Sequence, residues 1–380
     1  MLKIMTPGPT QVRENVRLAR SKVTTNPDLD LSFYEFYKET CDIISQLFHT
    51  KNETFILSGE GILGLEAACA SLTEPGDRVL VLDNGIFGKG FADFVKIYGG
   101  DPVLYTTDYK NTIDVGLLRT FLEQDHNFKY ATIVHCDTPS GVINDVSKIC
   151  PVLKEFGILS VVDSVSGMFG EHLDIEDSKI DIACGGSQKA LSAPIGLTFV
   201  TVSQDAIIAM ETRKTPIASF YANLLIFKDY YKNKWFPYSM PISDIYGLRK
   251  ALENVVNEKD MIGRHKKIAE AVRTAIQAGG LSLYLESGYG NTVTVIEVPE
   301  NLESSDILSV MKEEYGILIA GCFDVLAGKV IRIGHMGENA NVADVADTLD
   351  ALTKTLEQLG RPCLCNMKEA FLSKLNLEII

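Results

Sequence analysis

From about residue 50 to residue 205, short apolar runs alternate with stretches whose apolar residues recur at helical spacing, and this constrains the fold most. The runs read as strands are Thr54–Leu57, Val79–Leu82, Pro102–Tyr105, Ala131–His135, Ile158–Val162, Ile182–Cys184 and Leu197–Val202. Between them Gly61–Ser71, Gly85–Tyr98, Val115–Glu123 and Val146–Phe156 read as helices. Strands that are apolar throughout belong in a sheet covered on both faces, so the pattern predicts an α/β domain with a largely parallel sheet.

A chain of 380 residues exceeds what one hydrophobic core usually supports, so a second domain is expected. A long helical region from about Ser243 to Ala278 stops at Gly279-Gly280. Beyond it lie strand-like Thr292–Val298, a helix near Ser305–Tyr315, strand-like Ile317–Ala320 and Val330–Ile333, and a helix from Val342 to Leu359. The expected organisation is an N-terminal arm (1–20), a large domain (21–254), a smaller C-terminal α+β domain (255–360) and a tail (361–380) with a short amphipathic stretch, Met367–Leu375.

The formal net charge of −14 argues against a nucleic-acid footprint and against electrostatic attachment to anionic membranes. It leaves anionic small substrates open, since one well-placed Arg outweighs a distant, screened field. The first ten residues carry Pro and Gly where a signal peptide needs an apolar stretch, and no apolar run is long enough to span a bilayer. The eight cysteines form no CxxC pair, and Cys363 with Cys365 lacks a nearby His, so no metal site is expected. Reduced thiols in a cytoplasmic protein are the expectation.

Ser58-Gly59-Glu60-Gly61-Ile62-Leu63-Gly64 follows a predicted strand and opens a helix, where backbone N–H groups can close on a phosphate. It also fits G-x-G-x-x-G, with Asp83 ending the next strand as a dinucleotide site would require. The plainer alternative is a turn whose glycines serve packing alone.

Further along, Asp163 ends an apolar strand, and Lys189 follows another strand in the loop Gly185-Gly186-Ser187-Gln188. A Lys held near buried strands loses its proton readily. Pyridoxal chemistry needs such an amine to form an imine and an acid opposite the ring nitrogen to keep it protonated. The alternative is a surface Lys and an N-capping Asp. Arg332, among apolar neighbours in Val330–Ile333, offers a planar fork for a carboxylate. Against that stands a structural ion pair with one of the 50 acidic residues.

TPGPT, SGEGILGLEAA, DNGIFGKG, HCDTPSGVIN, VVDSVSG, GGSQKALSAPIGLT and KVIRIGHMG occur in this order. Together they resemble the class V, fold type I aminotransferases, nearest the alanine–glyoxylate and serine–pyruvate group, over about residues 4–360. The resemblance implies a large domain with a seven-stranded, mainly parallel sheet, a smaller C-terminal domain and pyridoxal 5′-phosphate as cofactor. It sets the dinucleotide reading aside. It implies that Lys189 carries the cofactor, that Asp163 faces the pyridinium, and that Glu60, Gly61, Ile62 and Gln188 lie at the phosphate end. Phe87 would stack on the ring, Thr138 would hydrogen-bond the cofactor, and Arg332 would hold the substrate α-carboxylate. Ser239 matches a position that reaches the phosphate from a neighbouring subunit, which implies a homodimer with shared sites. The implied reaction is a double displacement between a small amino acid and a 2-oxo acid, with the freed Lys189 amine as general base.

Glu60 departs from the pattern, because relatives usually place a small hydroxyl residue there. A carboxylate beside a phosphate is repelled, so Glu60 points away, carries a proton, or meets a ligand without a phosphate. The pyridoxamine–pyruvate transaminases, which act on unphosphorylated pyridoxal and pyridoxamine, resemble this chain in a GE-x-x-LGLEAA stretch. They differ in having an Arg where this chain has Phe323 and in lacking Gln188. Two other readings stand beside these: a cysteine desulfurase, on the strength of Cys322 in the loop before Arg332, and a catalytically silent binding protein on the same fold. The desulfurase pattern has His at the positions of Gln188 and Phe87.

Overall fold

In the computed structural model, which describes residues 2–376, all seven runs read as strands lie in one sheet. In chain order the strands are β1 (Lys3–Ile4), β2 (Glu53–Ser58), β3 (Arg78–Asp83), β4 (Asp101–Thr106), β5 (Tyr130–Val134), β6 (Leu159–Asp163), β7 (Ile182–Gly186), β8 (Leu197–Val202), β9 (Val293–Glu297), β10 (Ile317–Leu318) and β11 (Val330–Gly334). The large sheet has the order β2-β8-β7-β6-β5-β3-β4. β8 runs antiparallel to both of its neighbours, and the other pairings are parallel. Cover on both faces is what the uninterrupted apolar runs require: Leu80, Val81, Ile133, Val161 and Val162 are fully buried, and each such side chain contributes about 1.5–3 kcal/mol.

This topology decides where chemistry can occur. Asp163 is the last residue of β6 and pairs with Cys184 of the parallel β7, so β7 carries the chain to Lys189 at the same carboxyl edge. The helix Gly61–Leu72 starts at that edge after β2 and packs its small face on the sheet. A Cβ on Gly64 would stand 2.4 Å from Thr198 Oγ1, so this glycine serves close packing, as the plainer alternative held for the motif. Asp83 is buried and accepts hydrogen bonds from Thr106 and Tyr109, which tie β3 to β4 and the loop after it.

The smaller unit pairs β9 with β11 antiparallel, and β1 with β10 parallel. Its core joins Met5, Ile268, Ile296, Ile331 and Leu349. Three features differ from the sequence expectation. The region Ser243–Ala278 is two helices, Ile242–Val256 and Met261–Ala278. Asn257 folds back onto the Glu253 carbonyl, and Asp260 accepts from Gly263 N–H at 3.0 Å, so polar caps end one helix and start the next. Residues 361–376 are packed rather than trailing free, because the helix Met367–Lys374 packs on Met261–Ala278 and buries Met367 and Phe371 in the same core. The helix Leu31–Leu47, capped by Asp30, covers the large sheet without having been expected.

Candidate active site

Between the carboxyl edge of the sheet and the start of Gly61–Leu72 lies a cavity of about 260 Å³. Lys189, Asp163, Phe87 and Thr138 line it, and so do Glu60, Gly61, Ile62 and Gln188. These are eight of the ten residues the sequence singled out, brought together from five segments by the crossovers of the sheet; Arg332 and Ser239 are not among the lining residues. Leu65, Cys136, Val165 and Ser166 also line it and were not foreseen.

Lys189 is half-buried, and the removal of its amine from water pushes its ammonium down to about 8, with Asp163 opposing the shift and Arg332 adding to it. Its Nζ donates to the Pro7 carbonyl at 2.7 Å. Asp163 is pushed up to about 7 by burial, although Val165 N–H donates to its Oδ1 at 2.9 Å and favours the charged form. A cation set against Asp163 would restore its charge, which is the service a protonated ring nitrogen requires.

Asp137 supports the part of the wall made by Phe87 and Thr138. Its carboxylate accepts from Phe87 N–H at 3.2 Å, and from Ser140 N–H and Oγ at 3.0 and 2.7 Å. That clamps the first turn of the helix Ile86–Ile97, which carries Phe87, to the turn that carries Thr138. Gly85 is needed here because a Cβ would fall 2.6 Å from the Asp137 carboxyl carbon.

Arg332, on β11, is nearly buried. Its Nε donates to the Gly321 carbonyl at 2.7 Å and its Nη1 to the Thr138 carbonyl at 3.2 Å. Among the described residues no carboxylate lies within ion-pair distance of it, so the structural ion pair is not what holds it. Burial lowers its pKa, and the Asp137 carboxylate opposes that shift from beyond ion-pair distance.

Glu60 does not point away. It borders the cavity, and its Oε2 accepts from Gln188 Nε2 at 3.3 Å. It makes no side-chain cap on the helix Gly61–Leu72, whose first N–H groups therefore have no carboxylate on them. Among the described residues Gln188 Oε1 is buried without a partner. A pyridoxal ring fits these residues: an amine, an acid, an aromatic face and a polar turn surround one space. At the phosphate end the fit is divided, with a helix N-terminus that favours an anion and a carboxylate that repels it.

Ser239 lies outside this cavity, exposed, donating to Asp28 Oδ2 at 3.2 Å. His335 is buried, bonded to Thr294 and the Asn291 carbonyl, and pushed down to about 3 by burial, so it is a neutral strut. Tyr221 stacks on Tyr238 at 4.4 Å, and neither borders the cavity. Cys322 is half-buried, with its thiol pushed up by burial, unlike a nucleophile held as thiolate.

Fold and site thus define a fold type I transaminase, a sheet whose carboxyl edge carries a lysine and an acid facing one space. Residues 9–332 match the family described as Aminotransferase class-V, and the chain belongs to it. It is 33% identical over 362 residues to an uncharacterized aminotransferase of Methanocaldococcus jannaschii, covering 94% of this chain and 93% of that one. It is 32% identical over 366 residues to the pyridoxamine–pyruvate transaminase of Mesorhizobium japonicum, covering 94% and 92%. The crystal structure of ureidoglycine–glyoxylate aminotransferase from Bacillus subtilis superposes with a TM-score of 0.95 at 28% identity, covering 99% and 98% of the two chains.

Proposed function

We propose that this transaminase moves an amino group between a small amino acid and a 2-oxo acid of the pyruvate or glyoxylate type, with pyridoxal 5′-phosphate held at Lys189. The observation that carries the reading is that Lys189 and Asp163 line one cavity, with Arg332 bonded to the carbonyl of the cavity residue Thr138 and close enough to bear on the Lys189 charge. When bound, the pyridoxal ring supplies a sink for the electron pair left as the substrate Cα loses its proton. Asp163 would hold the ring nitrogen protonated, Phe87 would cover one face, and Thr138 would hydrogen-bond the ring's substituents. Gly61, Ile62 and Gln188 would take the phosphate end. Arg332 would bind the substrate carboxylate, which fixes the orientation of Cα. Lys189, easily deprotonated near neutral pH, would take the proton from Cα as general base. Ser239 would act in the cavity of a second copy, which makes the working unit a homodimer. No helix among the described residues is long and apolar enough to cross a membrane, and a cytoplasmic location is part of the proposal.

One observation favours a second reading. The Glu60 carboxylate borders the cavity and is tied to Gln188, so a ring bearing a neutral hydroxymethyl group in place of a phosphate meets an acceptor and no repulsion. Pyridoxamine itself would then be the amino donor and leave as pyridoxal.

The test is to incubate the protein with pyridoxamine and pyruvate, and separately with pyridoxal 5′-phosphate, L-serine or L-alanine, and glyoxylate, following alanine and glycine by NMR. Glycine formation only with the phosphorylated cofactor supports the first reading. Alanine formed in step with pyridoxal supports the second. Neither product would contradict both.

A further inference from the structure

The segment Thr6-Pro7-Gly8-Pro9-Thr10 carries no ionisable side chain, yet it grips Lys189 at both ends. Thr10 N–H donates to the Gln188 carbonyl at 3.1 Å, and Thr10 Oγ1 to the Lys189 carbonyl at 3.1 Å. At the tip, Lys189 Nζ donates to the Pro7 carbonyl at 2.7 Å. Gly8 has φ of +92°, and a Cβ there would fall 2.4 Å from Lys189 Cδ and 2.6 Å from Nζ. Only glycine leaves the slot in which the end of the lysine lies.

The same segment is fastened to the smaller unit. β1 pairs with β10, and the Met5 carbonyl accepts from Gly334 N–H at 2.8 Å. Gly334 packs on the Thr6 carbonyl so closely that a Cβ would stand 2.2 Å away, and Gln11 N–H donates to Asn339 Oδ1 at 3.0 Å. Gly334 ends β11, the strand that carries Arg332 two residues earlier. The carbonyl that holds the lysine tip and the guanidinium of Arg332 therefore sit on one hydrogen-bonded assembly.

A neutral amine has two N–H groups and one lone pair, and free rotation about Cε–Nζ spreads that lone pair over three directions. A base must aim it at the proton it takes. We propose that the Pro7 carbonyl, reached through the slot at Gly8, is a positioning group for the free Lys189 amine, holding one N–H so that the lone pair faces the cavity. It rests on the reading of Lys189 as general base. The carbonyl does no proton transfer itself; the proton passes from Cα to Nζ and onward. Because the acceptor's segment is hydrogen-bonded to β11, the position of the amine and that of Arg332 are tied together.

The test uses Gly8→Ala, Pro7→Ala, and a chain in which the peptide bond between residues 7 and 8 is replaced by an ester, which weakens the carbonyl as an acceptor without adding bulk. Gly8→Ala is expected to lower kcat by about 100-fold, with KM for the oxo acid within about threefold, as a misplaced base does. Pro7→Ala keeps the carbonyl and should stay within a few-fold of the parent. On the ligand-free chain, the pH midpoint for reductive methylation of Lys189, read by mass spectrometry, should fall by about one unit in the ester variant, because an acceptor that favours the ammonium is weakened. An unchanged midpoint in the ester variant overturns the proposal, as does a Pro7→Ala chain as impaired as Gly8→Ala. Borohydride trapping of a pyridoxal adduct on Lys189 in Gly8→Ala separates failure here from failure of the transaminase reading, since the adduct forms in the first case and not in the second.

Discussion

Replacing Glu60 by Gln keeps the shape of the side chain and its contact with Gln188 but removes one negative charge from the cavity wall. The size of the effect follows from where Glu60 sits. Two unit charges about 4 Å apart repel by about 1 kcal/mol in bulk water and about 4 kcal/mol at an effective dielectric of about 20. Glu60 is neither buried nor fully exposed, so solvent screening puts the penalty between these limits, nearer the lower one. Against it stands the helix N-terminus of Gly61–Leu72, worth about 0.3–1 kcal/mol to an anion and common to parent and variant. Glu60→Gln should therefore shift the ratio of affinities for pyridoxal 5′-phosphate and pyridoxal by about 5-fold to 100-fold toward the phosphate. The assay is equilibrium dialysis of each compound, with its bound absorbance spectrum, against both proteins at fixed ionic strength. A ratio unchanged within twofold would refute the placement of Glu60 at the phosphate end.

Three further outcomes are expected. Arg332→Lys, which loses the planar fork, should raise KM for the oxo acid by about 10-fold to 100-fold with a smaller change in kcat, as charge-assisted bidentate bonds of about 1.5–3 kcal/mol imply; steady-state kinetics with pyruvate and glyoxylate check this. Cys322→Ser should leave amino transfer within twofold and no cysteine desulfurase activity should be found in either protein, as measured by sulfide release. Glu171 is buried, accepts from Asn291 N–H and Nδ2, and is pushed up by burial from 4.5 to about 7. Its folded value lies above its unfolded one, so its stabilising share is complete below about pH 4.5 and is lost as pH rises toward 7. The loss is about 3 kcal/mol. Urea denaturation at pH 5 and at pH 7.5 should show Glu171→Gln gaining stability relative to the parent as pH rises, whatever the common background, to which Asp163 contributes in the same direction and the buried His135, His265 and His335 in the opposite one.

The sheet was legible because its strands are apolar without interruption, and burial on both faces leaves no other reading for Val79–Leu82 or Ile158–Val162. Lys189, Asp163 and Phe87 were legible because their chemistry is specific and their motifs stand in a fixed order. The break at Asn257–Asp260 was not, since the helical spacing of apolar residues continues through it; only the caps Asn257 and Asp260 mark it, and such residues also occur inside helices. Helix Leu31–Leu47 precedes the strand–helix alternation and so fell outside the pattern that organised the rest. Cys136, Val165 and Ser166 entered the cavity wall through the register of β5 and β6, which no local pattern encodes. Pro7 and Gly8 reach Lys189 through a backbone carbonyl and an absent side chain, and a sequence displays neither as a chemical group.

The central claim is that Lys189 forms the imine in a space completed by Asp163. The direct measurement is the mass of the Lys189 peptide after borohydride reduction of protein incubated with pyridoxal 5′-phosphate and, separately, with pyridoxal. The account predicts a reduced pyridoxyl adduct on Lys189 with at least one of the two, absent from Lys189→Ala and weakened in Asp163→Asn. An adduct carried by another lysine, or none with either compound, would contradict it.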